Sequence, residues 1–159
     1  MLQEQLTGAL VFILPAYVAN AVPVIVKGKK PIDLGKSFLD GKRIFGDGKT
    51  LEGFALGALA GFICGILIRH SIQLSLALSF GALFGDLAGA FIKRRLGLKR
   101  GAPAPGLVQL DFIIGALVLS SLICPLDLTL ALIIIVITPP IHVVTNRIAY
   151  MFKLKDIPW

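Results

Sequence analysis

Apolar residues run through this chain in five long blocks separated by short polar stretches. The blocks cover about Leu6 to Val26, Leu51–Ile68, Ile72–Ile92, Leu107–Cys124, and from near Asp127 to about Phe152. Each is close to the ~20 residues a helix needs to cross hydrocarbon. The pattern predicts an all-α fold: a polytopic helical membrane protein with five transmembrane helices, in a single domain spanning residues 1–159. Pro15 and Pro23 interrupt the first block, and Pro139-Pro140 the fifth. Each proline removes a backbone donor, so the pair predicts a kink or break in the fifth helix. A broken helix is tolerated where it is buried in protein or lines a wet cavity. His142 and Asn146 follow the break at a spacing of four, on one face. They either line such a cavity or bond between helices, and Asn20 poses the same choice.

Composition agrees with the pattern. Of 159 residues 56% are hydrophobic, and mean hydropathy is +0.87. A soluble domain this short cannot bury so much apolar side chain. Net charge is +7, and its placement says more than its size. Fifteen of the sixteen Lys and Arg residues fall in the first loop, the third loop and the C-terminal end; Arg69 alone falls opposite. The positive-inside rule then places the N-terminus outside and the C-terminus in the cytoplasm. The expected location is the cell membrane, and the charge calls for lipid headgroups and phosphates, not nucleic acid. The opening Gln3-Glu4-Gln5 lacks a basic n-region, so a cleaved signal peptide is not expected. Cys64 and Cys124 belong to no CxxC or Cys/His cluster and read as small core residues. Gly53, Gly57, Gly61 and Gly65 form one small-residue ridge, and Gly81, Gly85 and Gly89 another. Such ridges let helices approach closely, here the second and the third. The first loop, about Gly28 to Thr50, is long for a compact bundle, and loops of that length are usually functional or disordered.

The chemistry concentrates between Gly85 and Asp111: GDLAGAFIKRRLGLKRGAPAPGLVQLD. Carboxylates in hydrocarbon are costly and mark functional sites. Asp86 and Lys93 lie seven residues apart, nearly two turns, hence on one face about 10 Å apart. Asp111 sits about four residues into the next block, roughly 6 Å along its helix. The two acids therefore reach similar depth on the cytoplasmic side. They could pair with basic side chains, relay protons or cations, or hold Mg²⁺, which takes carboxylates, water and substrate phosphates. The basic cluster beside them favours Mg²⁺ and phosphate. The turn containing Gly97, Gly101, Pro103, Pro105 and Gly106 can present backbone N–H groups to phosphate oxygens. Upstream, GKRIFGDGKTLEG makes Thr50 an N-cap for the second helix. A phosphate there would meet free N–H groups, the positive end of the helix dipole and Lys49. Glu52 in the first turn suits that dipole. GDGKT lacks the spacing of a P-loop.

On these strings, and on the ending PPIHVVTNRIAYMFKLKDIPW, the chain resembles the archaeal CDP-archaeol synthases, short relatives of the CDP-diacylglycerol synthases. The resemblance runs nearly end to end. The cytidylyltransferase signature corresponds to Lys93-Arg94, Lys99-Arg100, Pro105-Gly106 and Asp111, with the Lys-Thr-x-x-Gly element at Lys49, Thr50 and Gly53. Ala90, Leu51 and Val108 depart from the expected pattern, and no catalytic role is expected of Ala90 or Val108. The resemblance implies a Mg²⁺-dependent enzyme acting on CTP and an isoprenoid ether-lipid phosphate. Asp86 and Asp111 would hold Mg²⁺ and, with Lys93, carry catalysis. Lys93, Arg94, Lys99 and Arg100 would neutralise phosphates, and Lys49, Thr50 and Glu52 would close the site. A CDP-alcohol phosphotransferase is disfavoured because its DGxxAR run is absent. A proton- or cation-translocating protein using Asp86 and Asp111 stays as the non-enzymatic alternative.

Overall fold

The structure, a computed structural model, describes residues 2–98, 102 and 106–157, with backbone alone at 107 and 108. It is all-helical: α1 Leu2–Val26, α2 Leu51–Leu67, α3 Ile72–Arg95, α4 Leu107–Ser121 and α5 Leu128–Met151. Side-chain caps fix three of the starts. Thr50 Oγ accepts from Gly53 N at 3.2 Å, Ser71 caps α3 and Asp127 caps α5. The helices α1, α3 and α5 are long and apolar enough to cross a membrane. At 17 and 15 residues, α2 and α4 are shorter, near or below the usual span length.

Two expectations need correction. The helix α5 runs unbroken through Pro139-Pro140. Two lost donors do not end it, because the rest of the backbone ladder has no better partner in an apolar setting. The neighbouring Thr138 hydroxyl, fully buried, donates back to Ile134 O at 2.6 Å and shares a 2.8 Å hydrogen bond with Tyr17 of α1. The second correction concerns the glycine ridges, which do not simply face each other. Gly81 and Gly85 of α3 lie against the backbone of Gly115 and Asp111 in α4, and α3–α4 is the most extensive helix contact. The α2 ridge is divided. Gly57 lies on the Ala19 carbonyl of α1, which Pro23 leaves without its helical donor, while Gly65 lies on Ser75 of α3. The core between them is built from Ile13, Leu78, Phe112, Ile113 and Ile134.

The first loop is folded around one buried acid. Asp33 accepts from Gly35, Phe45 and Gly46 N–H at 2.9–3.1 Å and from the Arg43 guanidinium at 2.6 Å. Arg95, at the end of α3, straps this loop down. It donates to the Lys42 and Arg43 carbonyls, pairs with Asp40 at 2.9 Å, and lies over the rings of Phe38 and Phe91.

Candidate active site

Four segments converge where α2 and α4 begin and α3 and α5 end. Lys49, just before the α2 cap, forms an ion pair with Asp86 of α3. One and two turns further along α3, Gly89 and Lys93 face Asp111 of α4. Lys93 Nζ lies 3.6 Å from Asp111 Oδ2. A Cβ at Gly89 would run into the Asp111 carboxylate, so this glycine is what admits the acid between the helices. Asp111 is buried; its Oδ1 accepts from Phe112 N at 2.7 Å, and its Oδ2 has no hydrogen-bond partner. Asp86 and Asp111, each beside its own lysine, thus lie at the same end of the bundle.

The other expected residues divide. Thr50 lines the same small pocket as Lys49 and Asp86, with its hydroxyl engaged as the α2 cap. Glu52 turns to the start of the loop, where its carboxylate accepts from Lys30 N at 3.2 Å. Arg94 packs under Gly46, with a buried Nε that has no hydrogen-bond partner. Gly106 takes φ +81 at the start of α4, a conformation natural to glycine. Lys99, Arg100 and Pro105 lie outside the described residues.

A further cation arrives from the C-terminal end. Lys155 Nζ donates to Asn146 Oδ1 at 3.0 Å, and the Asn146 amide lies 3.0 Å from His142 Nδ1. The His142 ring stands 6.0 Å from Phe112, next in sequence to Asp111. Burial lowers the Lys155 pKa, and the positive charges of Lys49 and Lys93 lower it further. Sequence reasoning flagged the His142–Asn146 face but missed Lys155. Its one signal was a lysine within reach of that face after a reversal of the chain.

Among the described residues no three His, Cys, Asp or Glu side chains cluster as metal ligands. The donor set still suits Mg²⁺: two hard carboxylates, one with a buried oxygen lacking a hydrogen bond, beside cations suited to phosphate.

Helices of membrane length around a lysine–carboxylate cluster define an intramembrane enzyme, and the comparisons with known proteins agree. A solved structure of an intramembrane enzyme for archaeal membrane lipids biosynthesis matches with TM-score 0.81 and 41% identity, over 87% of this chain and 92% of that one. The chain belongs to the CarS-like family, CDP-archaeol synthase, whose family model matches residues 2–159. Among its relatives, the CDP-archaeol synthase of Pyrobaculum aerophilum is 46% identical over 97% of this chain and 99% of that protein. That of Methanocaldococcus jannaschii is 43% identical over the whole of both. The chain is an integral membrane protein.

Proposed function

We propose that this protein transfers CMP from CTP to 2,3-bis-O-geranylgeranylglycerol 1-phosphate, giving CDP-archaeol and pyrophosphate. The observation that carries the reading is the convergence of Lys49–Asp86 and Lys93–Asp111 at one end of the bundle, in a chain whose relatives are CDP-archaeol synthases. The lipid phosphate oxygen attacks the α-phosphorus of CTP in line, the P–O bond to the β-phosphate breaks, and pyrophosphate leaves. Such a transfer depends on positioning and on charge neutralisation. Lys49 and Lys93 exchange their carboxylates for phosphate oxygens, with Arg94, Lys99 and Arg100 adding charge. Asp86 and Asp111 would hold Mg²⁺, which supplies electrostatic stabilisation of the CTP phosphates when bound. Burial of Asp111 between α3 and α4 keeps water from that side of the site. The domain is the whole chain, with five spans and the site at the cytoplasmic face, where CTP arrives from the cytosol and lipid from the bilayer.

Purified protein with CTP, Mg²⁺ and digeranylgeranylglyceryl phosphate should release pyrophosphate. Asp86→Asn and Asp111→Asn should fold, by gel filtration and circular dichroism, yet turn over at least ~100-fold more slowly. Normal rates in both variants would remove the metal assignment. Ion flux in liposomes without nucleotide, and no CTP consumption, would favour the transport reading.

A further inference from the structure

We infer that His142 and Tyr17 are positioning residues for Asp111: their rings seat the Phe112 ring and so set the rotation of α4 that presents the acid. This rests on the proposed function, and it gives a task to the His142–Asn146 face that the lysine–carboxylate pairs leave without one.

The need for such a device begins at the start of α4. Thr50, Ser71 and Asp127 cap α2, α3 and α5 with their side chains. The cap position of α4 is Gly106, which has no side chain to offer. Gln109 Oε1 accepts from Gly106 N there, at 3.3 Å. Asp111 is the fifth residue of the helix. Its carboxylate is aimed by whatever holds α4 about its own axis.

Two neighbouring side chains can do that. Consecutive helix residues point about 100° apart. Asp111 points at α3, where Gly89 leaves room for it. Phe112 points to another quarter of the helix, and its ring is fully buried. Its centroid lies 5.9 Å from that of Tyr17 on α1 and 6.0 Å from that of His142 on α5, both within the range of aromatic pairs. Close packing in two directions leaves α4 one rotation. The two residues are also joined directly, since Phe112 N donates to Asp111 Oδ1 at 2.7 Å. A turn of α4 that moved the ring would move that carboxylate with it.

The seat is itself fixed by polar bonds. The Thr138 hydroxyl gives its one proton to Ile134 O at 2.6 Å, so the Tyr17 hydroxyl is the donor in their 2.8 Å bond. On α5, the Lys155 ammonium donates to Asn146 Oδ1. The Asn146 Nδ2 group therefore faces His142 and donates to its Nδ1 at 3.0 Å. Thr138 and His142 lie four residues apart, on one face of α5. That face reaches Phe112 twice, directly through His142 and by way of Tyr17. A leucine in either place would cover Phe112 but could turn freely; both rings here are pinned at their polar ends.

The test reads metal binding separately from turnover. Mn²⁺ stands in for Mg²⁺, and its binding to the purified protein with CTP is followed by electron paramagnetic resonance. His142→Leu should raise the Mn²⁺ Kd about tenfold or more, as expected when a group behind a metal ligand is lost. The KM for the lipid phosphate should stay within about twofold. His142→Phe, which restores a ring, should recover most of the loss. Phe112→Leu should weaken Mn²⁺ binding by a similar factor and serves if His142→Leu does not fold. Unchanged Mn²⁺ affinity in either folded leucine variant overturns this inference alone, as does an equal loss in His142→Phe. A wild-type protein that binds no Mn²⁺ with CTP overturns the metal assignment and this inference together. A wild-type protein that binds Mn²⁺ but releases no pyrophosphate overturns the proposed function and leaves the positioning to stand or fall on the Mn²⁺ titration.

Discussion

Asp33 does for the first loop what no apolar side chain in it can do. Burial alone would raise its pKa, but the Arg43 guanidinium and the N–H groups of Gly46, Phe45 and Gly35 outweigh that and hold it well below the usual carboxylate range. A depressed carboxylate contributes stability above its unfolded value, ~3.9, and loses it as pH falls through the lower folded value. Hydrogen exchange at Phe45 and Gly46, corrected for intrinsic rate, should therefore stay constant from about pH 7 to 5 and accelerate only below about pH 4. Asp33→Asn should cost about 2–3 kcal/mol, speeding exchange there roughly 30- to 160-fold at neutral pH, and should flatten the acid response. A slow exchange unaffected by the substitution would remove Asp33 as the organiser. Asp86, Asp111, Lys49 and Lys93 were legible from the sequence because a charge inside or beside an apolar block stands out. Asp33, Arg95 and Lys155 were not, since each acts through a fold of the chain that residue spacing alone does not encode.

At the scale of elements, the α3–α4 contact fixes Asp111 in depth and rotation. A Cβ at Gly85 would strike the Asp111 carbonyl and the Phe112 backbone. Gly85→Ala should thus destabilise by about 1–3 kcal/mol, read as a lower unfolding midpoint in detergent, and should slow turnover by shifting α4. Gly8→Ala, with nothing within 4 Å of the added methyl, should stay within about 0.5 kcal/mol. Equal effects in the two variants would mean that close approach is not what Gly85 provides. Helix positions could be read from the apolar blocks, and the glycine periods from spacing. Which helices they join could not, because a small-residue ridge says that something comes near without saying what. Pro139-Pro140 misled for a related reason: local chemistry predicts a break, while the cost of freeing further backbone groups in an apolar setting acts on the whole helix.

For the whole molecule, the lopsided charge distribution makes a topological prediction. In a Cys64→Ala, Cys124→Ala background, Ser37→Cys in the first loop should react with a membrane-impermeant maleimide only from the cytoplasmic side. Gln73→Cys, at the α2–α3 end, should react only from outside. Labelling of both from one side would overturn the proposed five-span arrangement. Fold class was legible because hydrocarbon imposes one rule on the whole chain. The path of the first loop was not, because it is held by individual polar contacts.

Within the two lysine–carboxylate pairs the resting charges cancel. A phosphate that entered alone would draw Lys49 and Lys93 away and leave two acids unpaired; a cation that entered alone would strand the lysines. Leaving one partner of a buried pair uncompensated costs about 3–5 kcal/mol. Under the proposed function, the cheap exchange is the double one, in which cation and polyanion arrive together and every charge changes partner. The site then behaves as a coincidence detector. Isothermal titration should find that CTP and Mg²⁺ each bind far more weakly alone than in the presence of the other.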